Sequence, residues 1–424
     1  MNLKRAVGTL VLASMVGTIG CAAASDSDAE SGAAAVSTMT KIEHVVVIVQ
    51  ENHTFDTYFG RYCKAKAGSN PTCTKGPECC EAAPETITAH LPGPDWLAGE
   101  TKILPVELTD NSNTLYGADR NYDSACEYLE MTCGGTMDDA QSKLGGAGGA
   151  DDPSVTCTMD RFADASLGKI AELVSGGDDE GGGGVACGSL FGHRVENITA
   201  DNKTGRSASN WAVVDPDKTL SVYRDFAKQG ALGDRYFQPT VGQTSSNDMF
   251  LATAQFEFRD NTWFPDTGGS KCQAAALPAD HQPNYHVIKG RKTIADLLLD
   301  KHGKSGFGYY HMGYGAMADK RAPKDAHGCP KTLPDMCPAL IAKYVPIPGV
   351  PDPRVACMND PSDNPFRYFE QFGDDGKHAS ALHDYDQLAK DVEAGTLPAV
   401  SFVKPSPRST STPRSACSRW ARSS

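Results

Sequence analysis

Positive charge is scarce in this chain. The 40 Lys and Arg residues face 53 Asp and Glu, giving a formal net charge of -13 and a pI near 5.3. A nucleic-acid partner requires a basic stripe, so that class of partner is excluded, and any phosphate site must be local and metal-assisted. There is no nucleotide-binding glycine motif and no Gly-x-Ser-x-Gly elbow, which removes kinase-like and lipase-like chemistry. Paired CxxC units are missing too, which counts against a zinc cluster. What remains is ordinary for a globular enzyme: 424 residues, 40% hydrophobic and 8% aromatic, enough for one large domain with insertions.

The first 24 residues run from a short basic start (Lys4, Arg5) through an apolar stretch, Ala6 to Ile19, to small residues. That order is the mark of an export signal and not of a mature transmembrane span. Thr18-Ile19-Gly20-Cys21 resembles a bacterial lipobox in which Cys21 becomes lipidated, with Thr18 where Leu is usual. Cleavage near Ala22 to Ala24 is the competing reading. Residues 25–40 then form a polar tether. The expected destination is the outer membrane or cell surface as a lipoprotein, or the periplasm or medium.

Of 14 cysteines, Cys21 belongs to the leader and Cys417 to the tail. Twelve are left, an even number in an exported chain and hence a disulfide set. Cys63, Cys73, Cys79 and Cys80 crowd one loop region, and Cys126, Cys133, Cys157 and Cys187 fall further along a loop-rich insertion, residues 64–206, dense in Gly, Asp and Pro.

The chain is organised around Lys41 to Gly60, KIEHVVVIVQENHTFDTYFG. Val45 to Val49 are all β-branched without alternation, as in a central parallel strand covered on both faces. Gln50, Glu51, Asn52, His53 and Asp56 follow, at the strand end where α/β sheets collect ligands.

Regular structure is expected to return at Val213. A helix runs from Asp215 and Pro216 to Gly230, with Leu220, Tyr223 and Ala227 on one face, and a strand over Ala231 to Phe237 follows. Thr293 and Asp296 form a capping box for a helix to Gly303, whose buried face is Ile294, Leu297 and Leu298, before a strand at Phe307 to Met312. Asp384 caps a further helix that Gln387 boxes and Gly395 ends, with Tyr385, Leu388, Ala389 and Val392 inward; Ala399 to Val403 is then a strand. Alternating helices and short apolar strands imply an α/β fold with a mostly parallel sheet sandwiched by helices.

The Lys41 to Gly60 motif closely resembles the opening motif of the phosphoesterase family that includes bacterial phospholipases C and a branch of acid phosphatases, within the alkaline-phosphatase-like superfamily. Gly242-Gln243-Thr244-Ser245-Ser246-Asn247 is similar to that family's nucleophile segment, Gly-x-Thr/Ser-x-x-Asn. The resemblance implies that Glu51 and Asn52 bind the catalytic metal, a divalent or similar hard cation, and that Thr244 is both nucleophile and metal ligand. Asn52 also serves substrate, and Asn247 borders the phosphoryl pocket. The chemistry agrees: a Thr hydroxyl is a poor nucleophile at neutral pH and needs a cation to stabilise its alkoxide. A small phosphate ester or a phospholipid headgroup is the implied substrate, and attack by Thr244 gives a phosphothreonine. His378 and His383 are poorer candidates, His44 and His53 receive no role, and Asp374 with Asp375 are reserves for completing a metal site.

The domain so defined spans 41–405. Family members continue past LPAVSFVKP to a strand with further acidic ligands, whereas this chain ends in SPRSTSTPRSACSRWARSS. Residues 406–424 therefore read as a disordered or frame-shifted tail, and the chain as written is expected to be inactive or nearly so. The alternative function is a catalytically dead surface protein that keeps part of the metal and phosphate site.

Overall fold

A computed structural model describes residues 42–50, 53–89, 101–108, 127, 206–215, 221–275, 284–318, 323–326, 328–331 and 359–404. The elements in chain order are β1 (Val45–Ile48), α1 (Phe55–Phe59), β2 (Ile87–Ala89), β3 (Thr101–Leu108), β4 (Arg206–Val214), α2 (Ser221–Gln229) and α3 (Thr244–Thr253). After them come β5 (Phe264–Pro265), α4 (Ser270–Ala275), β6 (Tyr285–His286), α5 (Ile294–His302), β7 (Phe307–His311) and α6 (Tyr314–Ala318). The last are β8 (Leu382–Asp384), α7 (Tyr385–Ala394) and β9 (Val400–Lys404).

The principal sheet has the order β1-β9-β7-β8, and every pairing in it is parallel. All four carboxyl ends therefore lie on one edge. Successive side chains of a strand point to opposite faces, and β7 and β9 use that alternation to feed two cores. On one face Phe307, Tyr309 and Phe402 meet Met249 and Ala252 of α3, Ala295 and Leu299 of α5, and a cluster of buried aromatics, Phe366, Tyr368, Phe369 and Phe372. On the other face Tyr310 and Val403 meet Leu388 of α7. Helices thus cover both faces of a parallel sheet, the architecture expected of the sequence.

Several local expectations are corrected. Among the described strands β1 lies at the sheet edge and is not central: it pairs only with β9, and Ile48 is 50% exposed. Its unbroken β-branched run records strand propensity, not burial on both faces. Residues 231–237 form no strand. Asp234 and Arg235 sit in a turn there and leave Tyr236 and Phe237 exposed.

The insertion is not confined to loops and short helices. It contributes β2 and β3, which join β4 in a second sheet, β3 and β4 running parallel, so that order returns at Arg206 and not at Val213.

The capping box of α5 forms as expected. Its buried face is Ala295, Asp296 and Leu299, with Leu298 half-buried against the same core as expected, while Ile294 and Leu297 stand largely exposed. Asp296 is drawn inward because its carboxylate accepts from the Thr293 amide and hydroxyl and from Gln371 Nε2, at 2.7–2.9 Å. In α7 the cap is Asp384, and Gly395 ends the helix in the left-handed region at φ 67. Gln387 closes no box; its Nε2 donates forward to Asp391 at 2.8 Å. Leu388 is the buried residue of that helix, Tyr385 packs beside it, and Ala389 and Val392 face outward.

Three disulfides join described cysteines: Cys63–Cys80, Cys73–Cys79 and Cys272–Cys329. Cys21 and the cysteines at 126, 133, 157, 187, 337, 357 and 417 lie outside the described residues.

Candidate active site

Thr244 is the first residue of α3 and is half-buried. The sequence reading expected a strand immediately before it; the helix start replaces that strand, and the hydroxyl is presented at the positive end of a helix dipole. The turn into α3 is built from glycine and amides. Gly242 adopts φ +130, and a Cβ there would lie 2.6 Å from Asp260 Oδ1, so only glycine fits. That same carboxylate oxygen accepts from the Gln243 amide at 3.2 Å. Gln243 Oε1 accepts from the Asn261 amide at 3.0 Å, and Asn261 Oδ1 accepts from the Ser245 amide at 2.9 Å. Side chains and backbone thus exchange bonds reciprocally across the turn.

Asn247 lies one turn into the helix. Its Nδ2 donates to the carbonyls of Gly242 at 2.8 Å and Gln243 at 3.2 Å, and its Oδ1 accepts from the Thr240 amide at 3.2 Å. With both amide protons engaged, its side chain serves here as the lock of the turn. Sequence reasoning missed a second lock. Glu127 Oε2 accepts from the Gly242 amide and from Gln238 Nε2, each at 2.7 Å. Nothing in the sequence singles this residue out among the acids of the insertion.

The other half of the expected site starts at the end of β1. The Val49 amide donates to the Val403 carbonyl at 2.9 Å, which brings Gln50 to the sheet edge where β9 ends. Gln50 Oε1 accepts from the Tyr223 hydroxyl of α2. Glu51 and Asn52, the expected metal ligands, lie outside the described residues. His53 follows them, its ring stacked on Tyr58 at 5.5 Å.

Lys404, the last residue of β9, is 1% exposed, and its ammonium makes a direct ion pair with Asp248 of α3. Across the register His311 ends β7, fully buried. Burial first, and then the nearby Lys404, push its imidazole well below the ordinary histidine pKa. The pair and the register place the start of α3 and the ends of β1, β9 and β7 on one edge of the sheet.

The remaining candidates have structural work. His378 Nε2 lies 3.5 Å from Asp296 Oδ1, and burial with Lys377 lowers its pKa against the pull of Asp296. His383 stacks on Tyr310 at 5.0 Å. Asp374 pairs with buried Arg367 at 2.6 Å and accepts from the Gly268 amide at 2.8 Å. Among the described residues no three His, Cys, Asp or Glu side chains gather to hold a metal.

A parallel sheet covered by helices on both faces defines an α/β protein, a class in which ligands collect at the carboxyl edge. The model of the Phosphoesterase family matches residues 42–98 and 216–417, more than half of the chain, and the chain belongs to that family. No curated protein matches. Membership places the chain with phosphoester hydrolases and implies a phosphate ester as substrate.

Proposed function

We propose that this protein is an exported, metal-dependent phosphoesterase that works through a phosphothreonine on Thr244. The observation that carries the reading is the position of Thr244: first residue of α3, on the carboxyl edge of the sheet, in a turn locked by Asn247, Asp260 and Asn261. A turn held so tightly fixes the backbone that carries the hydroxyl, which lowers the entropic part of the barrier.

The donor set is chemically consistent with a hard cation, since Glu51, Asn52 and Thr244 would offer one carboxylate oxygen, one amide oxygen and one hydroxyl oxygen. A cation held there supplies positive charge against the alkoxide and the phosphoryl oxygens. The chain's own contributions are the Thr244 oxygen, which gives up its proton to solvent and attacks phosphorus as the bond from phosphorus to the ester oxygen breaks and the alcohol leaves with a proton from solvent, and the α3 dipole, which favours the incoming anion. Water then hydrolyses the phosphothreonine.

Phosphomonoesters and phospholipase C-type phosphodiesters are both substrates within this reading. The leader supports export, with Cys21 as the lipidation site that would tie the protein to a membrane. Turnover of p-nitrophenyl phosphate against a phosphocholine diester, with and without chelator, tests the chemistry. Chelator-sensitive turnover with phosphate trapped on Thr244 supports the reading, turnover that Thr244→Ala leaves intact overturns it, and no turnover favours the catalytically dead alternative. Membrane partitioning that Cys21→Ala leaves unchanged removes the anchor.

A further inference from the structure

The geometry points to Lys404 and Asp248 as positioning residues that set the rotation of α3, and through it the aim of the Thr244 hydroxyl. The inference rests on the reading of Thr244 as nucleophile.

The buried face of α3 is unusual. Of its five buried residues three are polar, Ser245, Ser246 and Asp248, and only Met249 and Ala252 are apolar. Apolar contact is non-directional, so this face cannot by itself fix how the amino-terminal turn is rotated about the helix axis. Asp248 stands four residues after Thr244, and residues spaced by four are neighbours on one helix face. Whatever fixes Asp248 in space therefore fixes Thr244 as well.

Its partner is well fixed. Lys404 ends a strand bonded on both sides: the Met312 amide donates to the Lys404 carbonyl at 3.2 Å, and the Val49 amide donates to Val403 at 2.9 Å. Both side chains of the pair are buried. A buried ion pair adds little net stability over an apolar substitute of similar volume, and its best-attested use is to specify one geometry. The turn is held from outside by Asp260 and Asn261. Asp248 and Lys404 hold it from the sheet side.

Neutral and lengthened variants of the full chain separate positioning from folding. Lys404→Met with Asp248→Asn removes both charges together, and Asp248→Glu keeps the pair but displaces it by one methylene. With p-nitrophenyl phosphate, kcat per folded molecule should fall about tenfold to a hundredfold in each, as sub-ångström misplacement does, with KM within about threefold of the parent. Hydrogen exchange of the peptide covering Thr244 to Thr253 should quicken about tenfold while the β7 and β9 peptides keep parental protection.

A kcat within about twofold of the parent in either folded variant, with Thr244→Ala inactive, overturns the inference. Should Thr244→Ala turn over like the parent, the nucleophile reading fails, and should the parent not turn over at all, the catalytically dead alternative holds. The exchange comparison then decides alone, and parental exchange in α3 overturns the anchor. If the double variant does not fold, Asp248→Glu carries both readouts.

Discussion

Two regions of the molecule are held by different forces. The loop from Cys63 to Glu81 buries almost nothing apolar except the sulfurs of Cys63 and Cys80. Its shape is set by two disulfides and by Glu81, which accepts from the Gly68 and Asn70 amides and pairs with Arg235. The start of α3 carries no covalent staple. It is held by amide exchanges, one buried ion pair and the aromatic core behind it. A segment that cannot bury enough surface to offset its conformational entropy needs cross-links, whereas a catalytic turn that must hold one geometry uses directional polar bonds. Reductant should therefore act on the first region and cavities on the second.

The largest expected effect is chemical. Thr244→Ala removes the attacking oxygen and should lower turnover by about a thousandfold or more, as loss of a nucleophile does. Thr244 is half-buried and starts a helix that alanine favours, so the thermal midpoint should stay near the parental value. A large drop in stability together with activity would put Thr244 among the packing residues and erase the distinction between the regions.

Next in size is a cavity. Phe366 is fully buried against Phe307, Phe372 and Phe402. Phe366→Ala should cost about 3–5 kcal/mol, read as a lowered urea midpoint with earlier exchange in α3. The Cys63 to Glu81 loop should keep its protection from protease in the folded fraction. Losing both protections in step would mean that the two regions form one cooperative unit.

The third change is smaller and should show the opposite pattern. Cys63→Ser with Cys80→Ser opens a crosslink with a sequence separation of 17, and a loop of that size corresponds to about 3 kcal/mol at most, in the entropic account. Limited proteolysis should cut the loop first, with exchange in α3 unchanged. Earlier exchange in α3 would show that the staple supports the catalytic turn.

How much of this could be read beforehand depended on whether the signal was local. The N-caps and glycine stops are written in four or five consecutive residues, so α5 and α7 start and end where expected, although only α5 completes its capping box. Their buried faces were misjudged because inward residues are chosen by neighbours far along the chain: Asp296 turns in to meet Gln371, and Val392 finds no core above it. The strand expected at 231–237 failed because apolar residues predict pairing only where a partner strand exists. Thr244 and Asn247 were singled out through their motif, and both lie at the start of α3. Glu127 and the Lys404–Asp248 pair were not, since a contact across 156 positions leaves no mark in local spacing. Glu51 and Asn52 lie outside the described residues.

The smallest effect concerns acid. His311, His378 and His383 all have pKa values below the ordinary 6.5, burial being the first cause in each, joined by Lys404 for His311 and Lys377 for His378 and opposed by Asp391 for His383. No histidine occurs between Cys63 and Glu81. A histidine whose folded pKa is depressed stays neutral in the native state while the unfolded chain takes up a proton below 6.5. The unfolded state then binds more protons, so stability is fully present above 6.5 and is lost as pH falls below it. The window opens above the carboxylate range, so the first acid loss belongs to the histidines. The urea midpoint should fall between pH 7.5 and 5.5, and His311→Asn should flatten that fall, because it removes the one fully buried imidazole among the described residues. Exchange in the β7 and β9 peptides should quicken over the same interval while the disulfide-bound loop changes little. A midpoint that rises toward pH 5.5, or a loop that loosens before the sheet, would show that acid acts on the carboxylates around Glu81 and not on the histidines packed against the sheet.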